Sequence, residues 1–451
     1  MKLNSPIAAI ALLGLLSFTA EAQQRPAIRQ LGAVTAKTSE KFTGIGGIRA
    51  LSNGGVLVND ISGRRVLLFD PQLSQFTVVA DSTSATANAY SGRIGSLIQY
   101  RGDSSIFIDP ASVSMLVIDG AGKIARVMAI PRAEDAGMIG GMMGSAAFDP
   151  AGRLVYRAGG GMRMGMGPGG ARQMQRVEAD RSGAVRTPNF QIPDPPDSAF
   201  ILAVNLATRK VDTLGIIRTP KVKLDIQRDD NGNIRAQSMV NPLPLVDDWA
   251  VTPDGAVAFV RGRDYHVDWV NPDGTKSSSP KIPFNWQRMT DEDKVAFLDS
   301  VKAARERLGP NAPSPLAGAL GGGGAGGGQT MVFSQIAVGP GGPAPGARGG
   351  AANAPAMQVT YVPASDLPDY KPPFFAGSTR ADNEGNLWIR TIPTEAIAGG
   401  PVYDVLNRKG ELVERVQIPA NRVIIGFGPD KSVYLLNREG TTSTVERASI
   451  R

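Results

Sequence analysis

SNGGVLVND, residues 52–60, reads as a tight Asn-Gly turn followed by an apolar strand that ends on two polar residues, Asn59 and Asp60. The phrase returns as DPAGRLVYR from Asp149, TPDGAVAFVR from Thr252 and ADNEGNLWIR from Ala381, and more loosely as RGDSSIFID from Arg101 and GPDKSVYLLNR from Gly428. One strand-turn-strand unit cannot bury its own apolar face, so its recurrence predicts a β-propeller or a related repeat array. Anchored on the turn, Gly54, Ser104 and Gly152 follow one another at about 50 residues, and Gly385 and Lys431 slightly closer, which is the length of a four-stranded blade.

Each inner hairpin is followed by an outer one: RVLLFDPQLSQFTVVAD from Arg65, SMLVIDGAGKIARVMAIP from Ser114, AFILAVNLATRKVDTLGII from Ala199 and PVYDVLNRKGELVERVQIP from Pro401. Apolar residues alternate around a polar turn, as half-buried antiparallel strands require. Five complete blades are expected, beginning near Gly44, Arg93, Gly140, Leu245 and Phe374. A sixth blade is split. The segment from Asn421 supplies three strands, VIIGFG, SVYLLNR and STVERASI, and AIRQLGAVTAK near the amino terminus supplies the fourth. Closure by both termini removes the open edges that invite aggregation. The fold class is therefore all-β, a six-bladed propeller over residues 23–451; seven blades would require the hairpin VKLDIQRDDNGNIRAQSMV from Val222 to be a blade of its own.

Longer intervals mark insertions at about 159–198, 222–244 and 286–372. The first holds GGGMRMGMGPGGARQMQ from Gly159. The last holds a helix at 290–308 and a low-complexity Gly/Ala/Pro tract at 316–355, whose composition offers nothing for a packed core. Thr290 is placed to cap the helix, Asp291 to Asp293 sit at its positive end, and Gly309-Pro310 stops it. Phe297, Val301, Ala304 and Leu308 form the expected buried face, packed on the propeller.

The first 22 residues read as a signal peptide: Lys2, an uncharged apolar stretch from Ile7 to Phe18, and Ala20-Glu21-Ala22 as a cleavage site before Gln23. The apolar run is too short for a membrane-spanning helix. The expectation is an exported protein, periplasmic or secreted, and monomeric. There is no cysteine, which excludes disulfides, thiolate catalysis, iron–sulfur clusters and thiolate metal sites. The formal net charge of +7 is spread along the chain without a basic run, so nucleic acid is not an expected partner. A small anionic molecule, an acidic glycan or an envelope protein fits the charge better, and a solvated basic surface without a dedicated partner is the plain reading.

DDWAVTPDGAVAFVRGRDYHVDWVNPDG from Asp247, LPDYKPPF from Leu367, ADNEGNLWIRT from Ala381, and VYDVLNRKGELVERVQIP with VIIGFGPDKSVYLL near the carboxyl end resemble a family of exported bacterial six-bladed propellers, related broadly to the NHL-repeat and TolB-like propellers. The resemblance covers most of the chain outside the glycine-rich tracts. It implies the fold and export, and no particular activity.

Candidate site residues follow from propeller geometry. The inner hairpin lies nearest the axis, so the residues that end its second strand should ring one mouth of the channel: Asn59, Asp60, Asp109, Arg157, Arg261, Arg390, Asn437 and Arg438. Such a mouth suits bidentate capture of a carboxylate, a phosphate or an acidic side chain, while the plain alternative is mutual Arg–Asp pairing. His266 is the one histidine, which excludes a two-histidine metal site; it is expected away from the axis, where the lyase type of propeller would need one. Asp149, Asp254 and Asp382 are read as turn residues. Likeness to gluconolactonase-type propellers would imply a calcium site on the axis, with Asn59, Asp60, Asp109 and Asn437 as the available ligands. Met162, Met164 and Met166 are the candidate Cu(I) ligands, against a soft apolar role in a loop. No cofactor is otherwise expected. The function expected is non-enzymatic binding of a ligand or partner at the channel mouth; the alternative is a metal-dependent hydrolase, lactonase or lyase.

Overall fold

The computed structural model describes residues 25–82, 89–90, 95–139, 146–159, 196–228, 234–308, 358–395 and 397–450. Six antiparallel sheets follow one another along the chain. Blade one is Ile45–Ala50, Val56–Asp60, Arg65–Phe69 and Phe76–Asp81; blade two is Ser96–Gln99, Ser105–Asp109, Ser114–Ile118 and Ile124–Ala129. Blade three is Ala147–Phe148, Arg153–Arg157, Ser198–Asn205 and Val211–Arg218; blade four is Asp248–Val251, Val257–Arg261, His266–Val270 and Lys276–Ser278. Blade five is Phe374–Ala381, Leu387–Thr391, Val402–Leu406 and Leu412–Gln417. Blade six is Arg422–Gly428, Ser432–Glu439 and Thr442–Ser449, completed by Val34–Lys37 on its outer edge.

The ring closes through its cores. One apolar cluster fills each seam between consecutive blades, from Leu57 with Phe107 between blades one and two, through Leu154 with Ile108, Val155 with Trp249, and Tyr265 with Phe374, to Trp388 with Val433 and Tyr434 with Phe69. Second strands are the most deeply buried, because both of their faces meet neighbouring blades; VLVND at 56–60 and SIFID at 105–109 are buried throughout. The recurrent turn depends on glycine at one position. Gly54, Gly152, Gly255 and Gly385 all hold φ between +77° and +86°, a region costly for residues with a Cβ. Blade six puts Asp430 and Lys431 at positive φ instead, which accounts for its looser match to the repeat.

The amino-terminal segment does more than complete one blade. Ile28–Gln30 also adds a fifth, parallel strand to blade five, beside Arg415–Gln417. Leu31 and Gly32 then cross the seam, their N–H groups donating to Gln417 O (3.1 Å) and Ser449 O (3.2 Å). The segment thus straps blades five and six together.

The hairpin from Val222 is not a blade. Val222–Arg228 and Ile234–Val240 pair with each other, and Gln358–Tyr361 joins the second of them as a parallel strand. The helix Asp291–Leu308 packs near this small sheet, with Leu298 beside Leu243, Met289, Val362 and Leu367, and Ile392 of blade five reaching the same cluster. The expected cap is present: Asp293 N–H donates to Thr290 Oγ1 (3.2 Å) and Thr290 N–H to Asp293 Oδ2 (2.9 Å), a reciprocal capping box. The expected face needs correction. Lys294 and Leu298 are buried, Phe297 and Val301 half-buried, and Ala304 is exposed; the helix lies down on its first half and projects its second. Residues 1–24 and the tract 316–355 lie outside the described residues, as do Met162, Met164 and Met166.

Candidate functional site at the insertion-bearing face

Strand direction sorts the molecule into two faces. In a four-stranded antiparallel blade the second-to-third turn and the connection to the next blade fall on one face, and the other two turns on the opposite face. The insertion 160–197 joins the second and third strands of blade three. The insertions 222–244 and 286–372 join blade three to four and blade four to five. The strand ends that bear all three therefore lie on one face, in blades three to five. The ends of the second strands, and so all eight residues expected at the mouth, lie on that same face.

Most of those eight are held by local partners. Asn59 donates its amide to Gly95 O (2.7 Å) and ties blade one to blade two. Asp60 accepts from Gly63 N–H (2.7 Å) and Arg65 Nε (2.9 Å). Asp109 accepts from Ser112 Oγ (2.7 Å), and Asn437 donates to Glu446 Oε1 (2.9 Å). Among the described residues no group of three or more His, Asp or Glu side chains is placed to hold a metal ion. Arg261 forms a fork, Nε to Asp268 Oδ2 (2.7 Å) and Nη1 to Asp247 Oδ2 (2.9 Å). Burial works against its charge, but those hydrogen bonds outweigh it and hold Arg261 above its ordinary value. Arg390 and Arg438 are exposed. His266 lies in the outer half of blade four, Nδ1 2.8 Å from Asp264 and Nε2 3.2 Å from Asp268. Asp149 and Asp382 accept from the backbone of their own turns, Arg153 N–H and Asn386 N–H at 2.8 Å each, and Asp254 does so more weakly from Ala256 N–H (3.3 Å).

Arg157 is buried at the end of the second strand of blade three, and with Asp248 it lines a recess of about 10 Å³ that opens to solvent. Arg218 and Thr219 at the end of blade three, Trp249 of blade four and Gly377 of blade five complete the walls. The first strand of blade five makes this space by bulging: Phe374 pairs with Thr391, yet the next pair is Thr379 with Ile389, so residues 375–378 loop out. Asp248 catches the bulge, its Oδ2 accepting from Thr379 N–H at 2.7 Å. Burial pushes the Asp248 carboxyl upward, against hydrogen bonds from Thr379 and from the N–H groups of Trp249 and Gly377. Burial likewise pushes Arg157 down to about 10, with the charge of Asp248 opposing the shift. Next to the cavity, Asp247 accepts from Arg218 N–H (3.0 Å) as well as from Arg261.

Strand register in the sequence points to Arg157 and Arg261 but not to Asp247, Asp248 or the bulge. The signal was present in DDWAV, since two adjacent carboxylates at the start of an apolar innermost strand must find partners or change protonation.

A second buried charge cluster lies farther out. Tyr265 donates its hydroxyl to Asp404 Oδ2 (3.0 Å), both groups fully buried, and Arg415 Nε approaches Asp404 Oδ1 at 3.4 Å. Arg25 of the amino-terminal segment sits over the Phe284 ring at 5.9 Å, and its charge reaches the same cluster.

No protein-family model matches the chain, and no curated protein matches it in sequence. Solved structures that align with it include regucalcin from Agrobacterium tumefaciens, described as a calcium-binding protein, at 12% identity over 94% of this chain and 97% of the other, TM-score 0.38. A gluconolactonase from Xanthomonas campestris aligns at 9% identity over 95% and 99%, TM-score 0.35. Virginiamycin B lyase from Staphylococcus aureus aligns at 11% identity over 92% and 87%, TM-score 0.33. Those activities belong to those proteins; the six-bladed propeller of this chain rests on its own sheets. No helix among the described residues is long and apolar enough to cross a membrane.

Proposed function

We propose that this propeller binds a small anionic ligand on its insertion-bearing face, at the inner edge of blades three to five. The observation that carries the reading is the concentration of three insertions, a solvent-open cavity and a buried guanidinium on one side of the molecule. Turn geometry explains the carboxylates of the opposite face, whereas the bulge of blade five and the burial of Arg157 are not needed to close a blade. Export through a signal peptide, periplasmic or extracellular residence and a monomeric state go with this reading.

The enzymatic alternative, a hydrolase, lactonase or lyase, draws on Asp248. A carboxyl raised by burial beside a guanidinium in an open cavity is the arrangement a general acid or base requires.

Ligand-observed NMR of the protein with a library of small organic acids, sugar acids and lactones tests both. Binding should weaken on charge reversal at the insertion-bearing face, Arg390→Glu with Arg438→Glu, and should hold on reversal at the opposite face, Lys123→Glu with Lys409→Glu. The opposite pattern would overturn the reading. Turnover of a library member that is lost in Asp248→Asn would establish the enzymatic alternative.

A further inference from the structure

Going beyond the small-ligand reading, we infer that the exposed ladder formed by residues 286–289 and 369–372 is a platform for an acidic oligosaccharide, with a sugar ring stacked on Trp286 and a uronate carboxylate paired with Arg288. Three observations converge. The first is register. Met289 N–H donates to Asp369 O (2.8 Å) and Lys371 N–H to Gln287 O (2.9 Å), which makes Arg288 and Tyr370 a non-hydrogen-bonded antiparallel pair with adjacent side chains. Trp286, two residues before Arg288, falls on the same side by strand alternation. Its ring contact with Phe284, two residues earlier again, agrees with that (centroids 5.1 Å apart, interplanar angle 79°). Indole, guanidinium and phenol thus share one side of the ladder. Trp286 and Tyr370 are diagonal neighbours, their Cα atoms roughly 7–8 Å apart, so linked sugar rings can touch both.

The second is exposure without looseness. Trp249, Trp269 and Trp388 are buried, whereas Trp286 is 36% and Tyr370 48% exposed. Trp286 nevertheless has a fixed support. It packs edge-on against Phe284, Phe284 packs edge-on against Tyr265 (5.7 Å, 83°), and Tyr265 is fully buried. The indole is held in place before a ligand arrives, so little side-chain freedom is lost on stacking.

The third is charge. The ladder carries Arg288 and Lys371 against one carboxylate, Asp369, which is already paired with Lys294 (2.7 Å). Among the described residues no carboxylate lies within ion-pair distance of the exposed Arg288, so its planar fork can take a ligand carboxylate edge-on. Glu395 is engaged by the Asn285 amide (2.7 Å), and Asn285 alternates to the other side of the strand. Aromatic faces set singly among charged groups suit a ring with an apolar face and a polar edge. A protein partner would call for a larger contiguous apolar patch.

The test is titration of the full chain with hexagalacturonate and hexamannuronate, followed by calorimetry and tryptophan fluorescence, with maltohexaose, polyglutamate and phosphatidylglycerol vesicles as controls. At least one uronate hexamer should bind and shift the tryptophan emission; maltohexaose should bind more weakly and polyglutamate not at all. Trp286→Ala should weaken uronate binding by about tenfold or more and abolish the emission change, since the other three tryptophans are buried. Trp286→Phe keeps a ring and should fall between in affinity; it also guards against a folding defect in the alanine variant, which thermal unfolding would reveal. Arg288→Gln should bring uronate affinity down to that for maltohexaose. Failure of both uronates to bind, polyglutamate or vesicles binding as tightly as the hexamers, or uronate binding unchanged in Trp286→Ala and Arg288→Gln would overturn the platform. If uronate binding instead followed Arg390→Glu with Arg438→Glu and ignored Trp286→Ala, the platform would fail and the small-ligand reading would stand. If small acids followed only charge changes on the opposite face while uronates still needed Trp286, that reading would fail and the platform would stand.

Discussion

Replacing Leu31 by alanine puts the amino-terminal strap to a quantitative test. Leu31 is only 8% exposed and sits in the seam of blades five and six with Trp388, Tyr403, Val416 and Val433. Truncation of a buried leucine to alanine costs about 2–5 kcal/mol, and a site at the edge of a seam, able to relax, belongs near the middle, about 3 kcal/mol. Unfolding entropy of roughly 2 cal/mol/K per residue makes 1 kcal/mol worth only about 1 °C in a chain of this size, so Tm should fall by about 3–4 °C. Hydrogen exchange is the sharper assay. The amides of Leu31 and Gly32, bonded to Gln417 and Ser449, should lose protection first, while amides of blades two and three keep theirs. Val34→Ala, at a 41% exposed position two residues past Gly32, should change stability by less than about 0.5 kcal/mol. Equal, small effects at both positions, with exchange unaltered near Ser449, would refute the strap.

Gly32→Ala should detach the same segment by another route, because a Cβ there runs into the carbonyl oxygen and hydroxyl of Ser449; wild-type exchange rates in this variant would count against the close approach. Tyr265→Phe removes the hydroxyl bonded to the buried Asp404 and should cost about 1.5–3 kcal/mol in denaturant unfolding, a figure that near-neutrality would contradict. Asp248→Asn addresses the raised carboxyl. A folded-state pKa above the unfolded value of about 4 means that the carboxyl's contribution is fully present below that pH and is lost as pH rises through the folded value. The stability of Asp248→Asn relative to the natural chain should therefore improve with rising pH from about 4; parallel curves would remove the shift.

The architecture was legible because propeller turns are written in local chemistry. D-x-x-G and N-G sequences with apolar flanks report both the turn and the strand that follows, and the split sixth blade followed from counting strands. The strap's fifth strand on blade five was not legible, since IRQ at 28–30 is too short and too polar to show a period. The helix was visible by its caps, but its buried face was misjudged: Lys294 takes a buried position by way of its ion pair with Asp369 (2.7 Å), which hydrophobic spacing cannot register. The mouth residues were found by register, yet their side-chain partners lie on other blades or a few residues onward. Asn59 reaches Gly95 of the next blade, a contact that blade packing creates, and Arg261 reaches Asp247 across its own hairpin. The bulge that opens the cavity has no signature beyond Gly377 and Ser378, and its partner Asp248 is far away in sequence.

Because the chain has no cysteine, a single introduced thiol gives a single label site. A nitroxide placed at Arg390→Cys, on the insertion-bearing face, or at Lys409→Cys, on the opposite face, reports which face a bound small acid occupies through relaxation of the ligand's own proton signals. Strong broadening from the label at position 390 and little from that at 409 is the predicted result. Stronger broadening from 409, or equal effects from both, would contradict the assignment of the binding face.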